Sequence, residues 1–187
     1  MPAREKSETL RQYLRRATAS QHDVLDRGAG MPDFADRDAH AAFLRRQLAA
    51  RQPIERWVAE HCPTDLAPPP KNAALMSDIE ALGMSPRHVA TRFAFPEGAD
   101  PLGLAWALAG SHLGNRMMLK TLAEVAPDAP RAFFADDAMT AYWKRLRPRL
   151  EVPVAAEEAQ RAALGARAVF DSFMAAFGLS HRGRLAA

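Results

Sequence analysis

Leu14-Arg15-Arg16-Ala17-Thr18-Ala19-Ser20-Gln21-His22 near the start, and Gly110-Ser111-His112-Leu113-Gly114 in the middle, are the stretches from which the rest of the chain is read. The first sits in a run where Leu10, Tyr13, Leu14, Ala17, Val24 and Leu25 return at helical spacing, so a helix is predicted over 5–27, closed by Gly28 and Gly30. The second lies in a long segment, 101–126, with proline at a helix start and Leu102, Ala105, Trp106, Ala109, Leu113, Met117 and Leu122 spaced for burial. A glycine inside a helix costs on the order of 1 kcal/mol relative to alanine. This predicted central helix carries Gly103, Gly110 and Gly114, so something must compensate.

Working outward, 36–60 repeats the pattern through Ala39, Phe43, Leu48, Ile54, Trp57 and Val58, although Pro53 is expected to kink or split it. A proline-rich connection over 63–70 precedes a short helix through Leu75, Ile79 and Leu82 that stops at Gly83. Residues 86–95 are predicted as another short helix. A short piece surrounds Phe133 and Phe134, and a helix over 137–147 carries Met139, Tyr142, Trp143 and Leu146. The last helix, 155–177, is expected to bury Ala159, Ala162, Ala166, Val169, Phe170, Phe173 and Phe177. No segment reads as a strand, a repeat or a low-complexity tail. The fold class is all-α, a compact helical bundle forming a single domain over 1–187.

The composition excludes several classes. With 187 residues and 48% hydrophobic content the chain can bury one core. The net charge is +3 and the isoelectric point about 9.4, but the basic residues are interleaved with acidic ones, which argues against a nucleic-acid stripe. The single cysteine, Cys62, cannot form an internal disulfide, and the charged start lacks an apolar signal core. A cytoplasmic location is expected. The longest uncharged apolar stretch, 101–115, is shorter than the roughly 20 residues needed to cross a bilayer, so membrane insertion is not expected.

Candidate site residues follow from the two opening stretches. His22 falls at the buried face of its helix or its edge, where a neutral imidazole could ligate iron or could be a hydrogen-bonded boundary histidine. Arg15 lies about two turns earlier and can face the same side. There it would suit a carboxylate, or serve as a solvated helix charge. Gly110 and Gly114, at i and i+4, clear a stripe on which a second helix or a flat ligand could lie. Ser111, His112 and Asn115 put polar groups into an otherwise apolar helix, and buried polar groups need partners, which favours a pocket.

Leu-Arg-x-Ala-Thr-x-x-x-His at 14–22 resembles the proximal-helix motif of heme oxygenases, and Gly-Ser-x-Leu-Gly at 110–114 is similar to the distal-helix motif of their bacterial, biliverdin-producing branch. The order and separation of the motifs, the helical pattern and the length extend the resemblance over essentially the whole chain. It implies that His22 is the proximal iron ligand and that Arg15 pairs with a heme propionate. Gly110, Ser111 and Gly114 would form the kinked distal helix over the other heme face. Heme would be both substrate and cofactor, opened to biliverdin, carbon monoxide and ferrous iron with dioxygen and an electron donor such as ferredoxin or a reductase. A basic residue of the last helix, Arg167 or else Arg161, would approach the propionates.

The chain also departs from that pattern. Where bacterial relatives commonly carry Tyr-Val-x-Glu before the first distal glycine, this chain has Trp106-Ala107-Leu108-Ala109. Where the mammalian branch has an aspartate after that glycine, this chain has Ser111, which can bond water but carries no charge. An inward His112 could become a second axial ligand; an outward one would be a solvated residue. A non-catalytic heme carrier or sensor on the same fold therefore remains an alternative. A third reading, a helical thiaminase-like scaffold without heme, would need a pocket thiol, and Cys62 beside Pro63 reads as a helix end instead.

Overall fold

In the computed structural model, residues 8–88 and 91–180 are described, and among them there are nine helices and no strand. They are α1 (Leu10–Ala17), α2 (Ala19–Ala29), α3 (Arg37–His61), α4 (Asn72–Ala81), α5 (Pro101–Gly110), α6 (His112–Val125), α7 (Ala132–Ala135), α8 (Ala138–Leu150) and α9 (Ala156–Ala176). No helix among the described residues is long and apolar enough to cross a membrane.

Local chemistry starts the helices where they start. Thr9 and Gln12 form a reciprocal capping box at α1: the Thr9 hydroxyl accepts from the Gln12 N–H at 3.3 Å, and Gln12 Oε1 accepts from the Thr9 N–H at 2.9 Å. Asp36 caps α3 by accepting from Asp38 and Ala39. Asp100 accepts from Leu102 at 2.8 Å, with Pro101 opening α5. Gly83, at φ +72°, closes α4 in the left-handed conformation that favours glycine.

The hub is α9, which packs against α1, α2, α3 and α5. Its closest neighbour is α5, because two glycines face it from either side. A Cβ at Gly103 would collide with the Ala162 backbone, and one at Gly165 would lie 2.5 Å from the Asp100 carbonyl oxygen. Gly103 is thus compensated by helix packing. Ile54 and Val58 of α3 join Leu104, Leu108 and Val169 in one apolar cluster, which ties the middle of α5 to α3 and α9. A second cluster, built on Leu44, Leu48, Leu75, Ile79, Phe133 and Phe134, holds α3, α4 and α7 together.

Several sequence expectations are corrected. The first predicted helix is two, broken at Thr18, whose hydroxyl and N–H both donate to the Leu14 carbonyl, at 2.9 and 3.0 Å. A threonine hydroxyl that bonds back onto the preceding turn bends helices. Residues 5–7 of that prediction lie outside the described residues. The central helix is also two, separated at Ser111. Pro53 does not split α3, which runs unbroken, and Ser172 of α9 donates to the Ala50 carbonyl on the turn that the proline disturbs. The helix expected over 86–95 does not form in its described part. Instead Phe93 and Phe95 lie against Trp57, with ring centroids 6.1 and 4.1 Å away. Burial of those two rings on α3 outweighs a weak local helical pattern.

His40 is buried between the rings of Phe34 and Phe134, and its Nε2 has no hydrogen-bond partner. Desolvation lowers its pKa below the ordinary 6.5, opposed by the Asp78 charge. Below pH 6.5 the unfolded chain therefore takes up a proton that the folded chain refuses, and stability falls as pH falls through that window. The urea midpoint should drop between pH 7.5 and 5.5, and His40→Phe should flatten that part of the dependence. An equally steep fall in the variant would show that His40 is not its source.

Candidate functional site

Because α2 starts afresh after Thr18, its phase is not that of α1. Gln21 turns to the core and His22 turns out, with 60% of its side chain exposed, which corrects the expectation of a histidine at the buried face or its edge. Its Nδ1 lies 3.0 Å from Asp26 Oδ2, one turn on. With Nδ1 facing that carboxylate, Nε2 is the ring nitrogen turned away from it and the one that could ligate a metal.

The imidazole sits beside Phe170 of α9, centroids 6.1 Å apart, and Phe170 in turn lies 6.4 Å from Trp106 of α5. Gly110 is one turn beyond Trp106 at the end of α5, and Gly114 lies in the first turn of α6, past the Ser111 break. Nothing lies within 4 Å of a Cβ built at either glycine. The helix-packing explanation that holds for Gly103 therefore fails for Gly110 and Gly114: among the described residues no second helix covers them. His22, Phe170 and Trp106 thus form a run of rings from α2 across α9 to α5, and Gly110 follows Trp106 by one turn on α5.

Ser111 marks the break. Its hydroxyl donates to the Leu108 carbonyl at 2.7 Å and accepts from Arg51 Nη2 at 3.2 Å. Arg51, on α3, is a site residue that the sequence reading missed. Its signal was present: it stands three residues after Leu48 and three before Ile54, on the buried stripe of α3.

The other candidates separate. Arg15 is exposed, with no hydrogen bond or ion pair to another described residue. Arg167 donates through Nε and Nη2 to the Ala17 carbonyl at 3.2 and 3.1 Å, so it closes the end of α1 at the Thr18 break. Arg161 lies 3.9 Å from Glu157. His112 is neither solvated nor turned to the glycine face: it is buried, with Nδ1 2.5 Å from the Ala109 carbonyl and its ring 5.8 Å from Trp143 of α8. With Asn115, Lys144 and Asp136 it lines a groove of about 540 Å³ that includes neither His22 nor the glycines. Burial pushes the Cys62 thiol up to about 11, which keeps it protonated at neutral pH.

No three His, Cys, Asp or Glu side chains come together as a metal-binding group among the described residues. A metal held at His22 would have to bring most of its ligands with it, as the iron of a macrocycle does.

No family model matches this chain, and no curated protein sequence matches it. A solved structure does. The heme oxygenase of Neisseria meningitidis, described with NO and CO bound, aligns with 94% of this chain and 95% of its own at a TM-score of 0.70, with 18% of residues identical. The chain adopts the all-α heme oxygenase-like fold.

The contrast among the glycines can be measured on the protein without ligand. Gly114→Ala should raise stability by about 0.5–1 kcal/mol, because alanine is the better helix former and meets no neighbour. Gly103→Ala should lower it by at least about 2 kcal/mol through overpacking. Thermal melts of both variants decide the matter; a destabilised Gly114→Ala would mean that the face is covered after all.

Proposed function

We propose that this chain binds heme between α2 and the α5–α6 break and cleaves it oxidatively, as a heme oxygenase. The observation that carries the reading is the bare backbone at Gly110 and Gly114, where a Cβ would meet no neighbour among the described residues, together with an exposed imidazole joined through Phe170 to Trp106, one turn before Gly110.

The residues present fit the group. His22 would hold the iron through Nε2, with Asp26 keeping the proton on Nδ1 and the ring in place. Phe170 and Trp106 offer apolar ring surface between the two sides. Gly110 and Gly114 would let the macrocycle approach the helix backbone without side chains in the way. Arg15, unpaired and exposed, would meet a propionate carboxylate; Arg167 would do so only while keeping or giving up the Ala17 carbonyl. When bound and supplied with dioxygen and external electrons from a ferredoxin or a reductase, heme furnishes the oxidising chemistry and is itself converted to biliverdin, carbon monoxide and ferrous iron.

A non-catalytic heme carrier or sensor is the second reading, and a specific observation favours it. The Ser111 hydroxyl has given its one proton to the Leu108 carbonyl, and Trp106-Ala107-Leu108-Ala109 supplies neither a phenol nor a carboxylate to order water near the break. The two readings part on turnover rather than on binding.

Hemin added to the purified protein should give a Soret band, and ascorbate or a ferredoxin system in air with catalase should replace it by biliverdin absorption. A Soret band that survives the same treatment would establish the carrier. His22→Ala should remove the axial imidazole signature in either case, while an unchanged spectrum would overturn the ligand assignment.

A further inference from the structure

Arg51 is a buried cation whose partner is a hydroxyl. It is only 3% exposed, yet Nη2 donates to Ser111 Oγ, and Nε is buried without a hydrogen-bond partner among the described residues. The rings of Phe133 and Phe173 lie 5.5 and 5.4 Å from the guanidinium carbon and offset part of its desolvation by cation–π attraction. The nearby carboxylate of Glu55 is turned to other work, accepting from the N–H groups of Lys71 at 2.8 Å and Asn72 at 3.2 Å. Burial lowers the Arg51 pKa to about 10, so the group is still charged at neutral pH.

A buried charge is costly unless it is paired, and an apolar residue of similar volume often holds a core as well or better. Packing of α3 alone therefore does not call for arginine here. What sets this position apart is its contact with Ser111, the residue between Gly110, whose Cβ position is open, and the start of α6. Ser111 cannot itself donate to a molecule over that face while its proton is on the Leu108 carbonyl. Arg51 is the cation that touches the break.

We propose that Arg51 is a positioning residue for the ligand side of the glycine face: held by Ser111, it sets a fixed positive charge beneath the break that favours anionic small molecules bound there over neutral ones. The inference rests on the heme reading above and deepens it.

The test uses the ferric hemin complex of the full chain, titrated with azide as the anionic ligand and imidazole as the neutral one. Arg51→Met and Arg51→Gln should each weaken azide by about tenfold or more while leaving imidazole within about twofold, and Arg51→Lys should restore azide to within about threefold of the wild type. Circular dichroism and melting curves select variants that fold, and the glutamine variant keeps the test open if the methionine variant does not. Equal losses for azide and imidazole would assign Arg51 a purely structural part and overturn the proposal, as would azide affinity indifferent to all three substitutions. If the wild-type chain forms no His22-dependent Soret complex, the heme reading fails and this inference with it. A normal wild-type complex with unresponsive variants sinks this inference alone.

Discussion

The close approach of α5 to α9 is the constraint on which the remaining architecture depends. Gly103 and Gly165 remove the Cβ atoms from both sides of the crossing, and the Asp100 N–H donates to the Arg161 carbonyl at 3.0 Å where α5 begins. With the start of α5 fixed to α9 backbone to backbone, the direction of its later turns is set. Trp106 is brought to Phe170, Leu104 and Leu108 are brought to Ile54 and Val58, and Gly110 is left facing outward. Interiors packed at crystal density transmit such a displacement rather than absorbing it. A shift at Gly103 would therefore move the bare face relative to His22, although neither glycine of that face touches α9.

The opposite side of the break is fixed by buried charge as well as by the apolar cluster of α3, α4 and α7. Lys71 is almost fully buried, with Nζ 2.5 Å from Asp136 Oδ2, and its own N–H is held by Glu55. Asp78 accepts from the N–H groups of Ala132 and Phe133 and so caps the short α7. Each of these carboxylates satisfies backbone or a cation that would otherwise be buried unpaired, which is the condition under which buried polar groups are tolerated. They also hold Phe133 in place, and Phe133 is one of the two rings against Arg51. The support of the helix break thus reaches back through α7 and α4 to residues far from it in sequence.

Much of this was legible from sequence wherever one element carried its own signal. The helical class, the extent of α9, the stop of α4 at Gly83 and the opening of α5 at Pro101 follow from periodicity and caps. The break at Thr18 escaped, and the one at Ser111 was foreseen only as the kink that the resemblance implies; the two share a physical cause. Thr18 and Ser111 break their helices through hydroxyls bonded to carbonyls of the preceding turn, and a hydroxyl residue in an apolar pattern does not announce which bond it will make. The phase error at His22 followed from the first break. The segment before α5 was misread because Trp57, on another element, decides where Phe93 and Phe95 go. Within the site, the glycine pair was legible as a cleared stripe but not as an uncovered one. Arg51 was hidden as a charged residue on a buried stripe, where pattern reading expects an apolar one.

The two sides of the candidate site therefore obey different physics. On the α2 side a solvent-exposed imidazole is oriented by an exposed carboxylate one turn away, an arrangement that costs little to form and responds readily to a ligand. On the α5–α6 side the backbone is bare, the hydroxyl is tied down and the cation lies below the surface, so little can rearrange. A flat ligand entering between them would be gripped by the adaptable side and shaped by the rigid one. Discrimination among small molecules competing for the remaining face of that ligand would then be governed by the fixed field at the break, because preorganised charge need not reorient to act.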